Sequence, residues 1–225
     1  MQPNILLIDF ETTGVTPGHH DAIQVAALFV SPELEELAAF ESLIRPLRPQ
    51  NASAEAMAIH KKPMSQLMAA PTAHEVMSRL QAGANIGAPP LIAGFNVDFD
   101  RRFLTALERD TGIQIERHGS SILCAREIYL KAKGLSRYTK GTRLTDLCAL
   151  YGIATDGAHD ALADVRMTLA LLRALCAEHP EAFAFLGGAR GGPHGRRGSG
   201  GGRGSGRIPG SLGRAGWPEP RGAYL

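Results

Sequence analysis

From Ile5 to Ile8 the stretch Asn4-Ile5-Leu6-Leu7-Ile8-Asp9-Phe10-Glu11-Thr12-Thr13-Gly14 is apolar without alternation, and only then do acids enter. Unbroken apolarity over strand length marks a strand covered on both faces, which predicts a central first strand. Residues 22–30 and 37–44 are β-rich and separated by a turn at Pro32, which predicts a meander with the first strand. Short apolar runs at 91–93 and 121–123 predict two later strands. Helical patterning falls at 52–57, 72–82, 98–109, 125–131, 143–151 and 160–178. In the last of these Leu162, Val165, Leu169, Leu172 and Leu175 make one stripe. Strands first and alternation afterwards predict an α/β domain with a mixed five-stranded sheet flanked by helices. No internal repeat is visible.

Asp9 and Glu11 stand two apart on the first strand. Their side chains therefore leave the same face, with α-carbons about 6.6 Å apart at a rise of about 3.3 Å per residue. Two such carboxylates can share a cation, although the pair alone reads equally well as a solvated strand end. No Lys or Arg lies within five residues on either side. A divalent cation is then the simplest source of the positive charge that buried acids require. Thr12, Thr13 and Gly14 close the strand with hydroxyl groups and a residue that lets a ligand approach the backbone. Residues 91–104 run from a short strand through a turn into a helix, with Asp98 as the expected N-cap and Asp100 in the first turn, where the helix dipole tolerates an anion. Gly157-Ala158-His159-Asp160-Ala161-Leu162-Ala163-Asp164 opens the last helix. With Asp160 as N-cap, Asp164 is a fixed carboxylate inside the helix and His159 an imidazole ahead of it that can reach a water. Four carboxylates suit hard cations, whereas zinc would want His and Cys at short spacing.

The segments Asp9-x-Glu11-Thr12-Thr13-Gly14, Asn96-x-x-Phe99-Asp100 and His159-x-x-x-x-Asp164 together resemble, in order and separation, the three exonuclease motifs of the DnaQ-like superfamily, in the branch with a histidine in the third motif. The resemblance covers residues 4–178. Within the superfamily the likenesses are to the proofreading exonuclease (epsilon) subunit of bacterial DNA polymerase III and to exodeoxyribonuclease X. Ala56-Met57-Ala58-Ile59-His60 is similar to the segment preceding the proofreading domain's substrate-facing histidine, and Arg143-Leu144-Thr145-Asp146-Leu147-Cys148-Ala149-Leu150-Tyr151-Gly152 to the helix before the third motif.

What the resemblance implies is a ribonuclease H-like sheet and two Mg²⁺ or Mn²⁺ ions on Asp9, Glu11, Asp100 and Asp164. It also implies His159 as the general base on the attacking water. Thr12, Thr13 and Gly14 would lie beside the terminal nucleotide, while His60, Asn96 and Phe99 would hold the strand end, the ring of Phe99 stacking on a base. Phe95 departs from the many members with His before the second-motif Asn. It removes a polar substrate contact and leaves the metal ligands untouched.

The expected substrate is a 3′ end of single-stranded or frayed DNA, removed nucleotide by nucleotide in proofreading or repair. An exoribonuclease or oligoribonuclease would use the same five residues. A non-catalytic nucleic-acid- or polymerase-binding protein is a third reading, against which the complete set of five argues.

Composition divides the chain at residue 186. Positions 187–225 hold 15 of the 26 glycines, seven Arg, four Pro and a single acid, Glu219. Such a segment cannot bury enough apolar surface to fold alone. The expected organisation is thus a domain at 1–186 and a disordered Gly/Arg-rich tail at 187–225. The net charge of +2 then splits into 17 basic and 21 acidic residues in the body, or −4, and 7 minus 1, or +6, in the tail. The tail fits attraction to a phosphate backbone. Its end, Trp217 to Leu225, reads as a docking peptide for a DNA polymerase subunit. Cys124, Cys148 and Cys176 are odd in number and far apart, as for reduced thiols of a cytoplasmic protein. No apolar run reaches the length of a membrane span.

Overall fold

The computed structural model describes residues 4–84, 88–119, 122–158 and 160–186. Strands β1 (Ile5–Thr12), β2 (Ala22–Val30), β3 (Glu36–Leu43), β4 (Leu91–Gly94) and β5 (Ile122–Cys124) form one sheet in the order β3-β2-β1-β4-β5. The first three are an antiparallel meander, while β4 runs parallel to β1 and β5 parallel to β4. The sheet is mixed and five-stranded, with β1 at its centre, and Ile5 to Ile8 are each at most 1% exposed.

The helices are α1 (Ala54–His60), α2 (Met64–Met68), α3 (Ala73–Ala84), α4 (Asp98–Thr111), α5 (Ala125–Ala132), α6 (Leu144–Leu150) and α7 (Ala161–Glu178). Ile5 and Leu7 of β1 share a buried cluster with Val165, Leu169, Leu172 and Leu175 of α7. Side chains alternate along a strand, so Asp9 and Glu11 continue that same face. The helix that seals the core therefore brings its first turn over the acids. Asp160 caps α7 as expected, its carboxylate accepting from the Ala163 N–H at 3.3 Å. No helix among the described residues is long and apolar enough to cross a membrane.

Two expectations need correction, and one helix was not expected. Asp98 does not cap α4: Val97 occupies the N-cap position without a side-chain bond, and the Arg101 N–H already donates to the Val97 carbonyl at 2.8 Å. The Asp98 carboxylate accepts instead from the guanidinium groups of Arg101, at 2.6 Å, and Arg102. Two guanidinium partners at i+3 and i+4 hold this carboxylate in preference to a backbone N–H. The first helix begins at Ala54, two residues later than its pattern implies, because the Ser53 hydroxyl caps it, accepting from the Ala56 N–H at 3.1 Å. Helix α2 has five residues, too few for a periodic signal. Ser121 and the whole of 187–225 lie outside the described residues.

Candidate active site

The site lies at the carboxyl end of β1, where ligands gather in α/β sheets. Ligand atoms of Asp9, Glu11 and Asp164 all fall within 4.8 Å of one another. Two are delivered by the strand and the third by the first turn of α7. Register shifts between Glu11 and Thr12, because Glu11 pairs with Gln24 but Thr12 with Ala22. A bulge at this point bends the strand just past its second acid.

Asp100 reaches the same place by a different route. Pairing of β1 with β4 stops at Leu7 opposite Ala93, so the edge of β1 beyond it has no strand neighbour there. The Phe10 N–H donates to Asp100 Oδ1 at 3.0 Å. The fourth carboxylate, only 3% exposed, thus bonds to the amide lying between Asp9 and Glu11. Gly94 makes this turn possible by its lack of a side chain. A Cβ there would sit 3.0 Å from both the Ile8 carbonyl oxygen and Val97 Cγ2.

The acids repel one another strongly. Asp9 is held well above the usual carboxylate range, first by lost hydration and then by the charges of Asp100, Asp164, Glu11 and Asp160. Asp9 retains some surface, but its surroundings are protein on nearly every side, so dehydration governs. Burial pushes Asp100 up to about 8, although the Phe10 amide and its own backbone N–H favour the anion, with Glu11 adding a smaller rise. Such a cluster calls for protons or a cation between its members, and an all-oxygen donor set suits a hard divalent ion.

A pinned loop forms the rim. The Thr13 N–H donates to the Asp21 carbonyl at 2.8 Å, and the Asp21 N–H returns a bond to the Thr13 hydroxyl at 2.9 Å. Thr13 is fully buried, so its side chain serves the loop. Thr12 donates its hydroxyl to the Gly14 carbonyl at 2.8 Å. The ring of His20 lies directly on Gly14, where a Cβ would stand 2.4 Å from its Cδ2. Its Nδ1 accepts from the Thr16 N–H at 3.0 Å. Val15 follows, 77% exposed. The Ser53 N–H donates to the Thr13 carbonyl at 2.8 Å and hangs α1 from the loop.

His60 ends α1, buried, its Nδ1 accepting from the Lys62 N–H at 3.0 Å. Dehydration, with Lys62 second, lowers its pKa. The proton of the neutral ring therefore sits on Nε2, which is buried without a partner among the described residues. Asn96 is exposed and takes a left-handed φ of 53°, which Asn tolerates, and its carbonyl accepts the Phe99 N–H at 3.1 Å. Half-buried Phe99 packs at 4.9 Å, centroid to centroid, on the core residue Phe103. Phe95 turns into the core, which accounts for an apolar ring at that position. His159 lies outside the described residues.

The RNase_T exonuclease family model matches residues 6–172. The chain belongs to this exonuclease family. It is a nuclease domain of the DnaQ-like superfamily. It is similar to the uncharacterized exonuclease CP81 of Escherichia phage 186, with 31% identity over 185 residues, covering 78% of this chain and 89% of the relative. Among solved structures, E. coli exonuclease I in complex with a dA16 oligonucleotide matches with a TM-score of 0.72 and 21% identity over 84% of this chain. The zinc-bound form of its complex with single-stranded DNA matches with a TM-score of 0.70 and 22% identity over 82%. The chain spans less than half the length of those solved proteins, 44% and 43%. The exonuclease fold accounts for the sheet order.

Sequence reading missed several residues that surround these acids or pin the loop beside them. Gln24, opposite Glu11 and 4% exposed, shares its face of the sheet and donates Nε2–H to Glu41 at 2.7 Å. A buried amide in an otherwise apolar strand was its available signal. His20 and Asp21 had none, since a loop's return onto β1 leaves no periodic trace.

Proposed function

We propose that the protein is a metal-dependent exonuclease that removes nucleotides from 3′ ends of single-stranded or frayed DNA, in proofreading or repair. The observation that carries this reading is the convergence of Asp9, Glu11 and Asp164 within 4.8 Å, with Asp100 bonded to the amide between the first two. Two Mg²⁺ or Mn²⁺ ions bound there would activate a water and stabilise the leaving 3′ oxygen. Asp9 and Glu11 would hold them from the strand, Asp164 from α7 and Asp100 from α4. His159 would accept the proton of the attacking water, with Asp160 beside it in sequence to stabilise the imidazolium.

Thr12 and Gly14 would border the terminal nucleotide, with Thr13 fixing the loop they belong to. Asn96 and the open side of Phe99 would hold the strand end, and the unpaired Nε2–H of His60 is a donor that a phosphate oxygen would satisfy. DNA is favoured by the likeness of residues 56–60 and 143–152 to polymerase proofreading subunits, and by the oligonucleotides bound to exonuclease I. The domain would end near residue 186, leaving the basic tail to attract the phosphate backbone and its last residues to dock on a polymerase.

The test uses 5′-labelled single-stranded DNA and RNA of equal sequence with Mg²⁺. Wild type should give a ladder shortening from the 3′ end of DNA. Asp9→Ala and His159→Ala should each lose activity by orders of magnitude, with only Asp9→Ala losing metal affinity. Equal digestion by the variants would refute the site, and a ladder on RNA alone would replace DNA as the substrate. Unchanged recovery of a polymerase after deletion of 187–225 would remove the docking role of the tail.

A further inference from the structure

The last turn of α5 and its connection to α6 carry Lys131, Lys133, Arg137, Lys140 and Arg143 with no acid from 131 to 143, in a body whose net charge is negative. Elsewhere several exposed guanidinium groups are paired, Arg102 with Asp98, Arg109 with Asp110 and Arg166 with Glu36, while Arg45 and Arg173 are each tied to a backbone carbonyl, of Ala70 and Leu34. In this loop Lys133 pairs with Glu178 at 2.5 Å, whereas Lys131, Arg137, Lys140 and Arg143 make no carboxylate pair among the described residues. The loop is nonetheless well built. Arg126, in the first turn of α5, donates to the Arg137 carbonyl at 2.8 Å, the Thr142 carbonyl at 3.1 Å and the Thr142 hydroxyl at 3.0 Å. At its tip the Arg137 guanidinium lies over the Tyr138 ring, 4.8 Å from the centroid, and donates to its hydroxyl at 2.6 Å. Tyr138 is 77% exposed, so the ring's other face is open.

Position adds to chemistry. Helix α5 begins where β5 ends, and β5 is parallel through β4 to β1. Arg126 thus anchors the tip at the end of the sheet that carries the carboxylates, about two strand spacings or 10 Å to one side. From the loop the chain enters α6, where Cys148 Sγ lies 4.0 Å from the carbonyl of Met167, one turn beyond Asp164.

We propose that this loop is a second nucleic-acid contact, holding the backbone of a single strand inside the end being cut, with Arg137 and Lys140 on phosphates and a base stacked on Tyr138. Cations with a rigid, half-open aromatic ring are the chemistry of sequence-tolerant single-strand binding. The proposal rests on the reading of the substrate as single-stranded nucleic acid, and it assigns a separate role to residues outside the carboxylate site.

Two measurements on the full chain test it. The first is fluorescence anisotropy of a labelled 20-nucleotide DNA across a salt series in EDTA, where no cleavage occurs. The second is hydrolysis, with Mg²⁺, of a p-nitrophenyl ester of a nucleoside 5′-phosphate, too short to reach the loop. Arg137→Gln with Lys140→Gln should weaken 20-mer binding about tenfold and lower the log–log salt slope by about 1.4, from about 0.7 per lost phosphate contact. Tyr138→Ala should weaken it at least fivefold without changing the slope. Both should keep the ester's kcat and KM. Wild-type affinity and slope in the double variant would overturn the inference and leave the patch to an acidic protein, and a fall in ester hydrolysis would overturn it by showing that the loop acts on the site itself. If wild type does not hydrolyse the ester, the catalytic reading fails while the anisotropy still decides the loop.

Discussion

Asp100 is pulled in two directions. Burial and the nearby acids favour its proton, while two amides favour its charge. In the unfolded chain its carboxyl titrates near 3.8 and in the fold near 8. Between those values the folded protein binds the extra proton. The stability this contributes to the metal-free protein is complete below about pH 4 and is lost as pH rises through about 8. Thermal unfolding in EDTA should show that decline for wild type and a flatter profile for Asp100→Asn; equal slopes would contradict the assignment. At Gly14 the issue is space. Gly14→Ala places a methyl 2.4 Å from the His20 ring, which the Thr16 N–H holds in place. Loop displacement should lower kcat/KM about 100-fold. His20→Ala in that background should recover at least tenfold, a coupling of about 1.4 kcal/mol that strict additivity would exclude. The carboxylates could be read from sequence because their spacing along β1 and α7 is itself the geometry. His20 and Gln24 could not, because their places depend on a loop return and a strand register.

At the scale of elements, apolar pattern located every described strand to within a residue or two and every described α-helix except α2, while the 3-10 turns at Pro49–Asn51 and Pro180–Leu186 gave no signal. Patterns work where burial is continuous, as in β1. They fail where one polar choice decides a boundary, as when Asp98 takes Arg101 and Arg102 in preference to a cap. The sequence puts Asp164 and an apolar stripe on the same helix, but does not show that this stripe packs on Ile5 and Leu7 of the strand that carries Asp9 and Glu11. Leu172, in that stripe, is fully buried. Leu172→Ala should cost about 2–5 kcal/mol of stability in denaturant titration, with residual activity following the folded fraction. A loss below 1 kcal/mol would show that α7 does not carry the core.

Taken whole, the folded body has gathered four acids that raise one another's proton affinity, so it should gain stability from the ion it uses. Mg²⁺ at about 100 times its dissociation constant should add about 2.7 kcal/mol. Asp9→Asn should melt higher than wild type in EDTA, since a repelling charge is gone, yet gain little from Mg²⁺. A variant as responsive to Mg²⁺ as wild type would exclude Asp9 from the ligands. The bond from Phe10 to Asp100 makes this state of the molecule audible in a single backbone position. Whatever neutralises Asp100, proton or cation, changes what that one amide hydrogen feels, so its NMR shift is a gauge of site occupancy that needs neither substrate nor label.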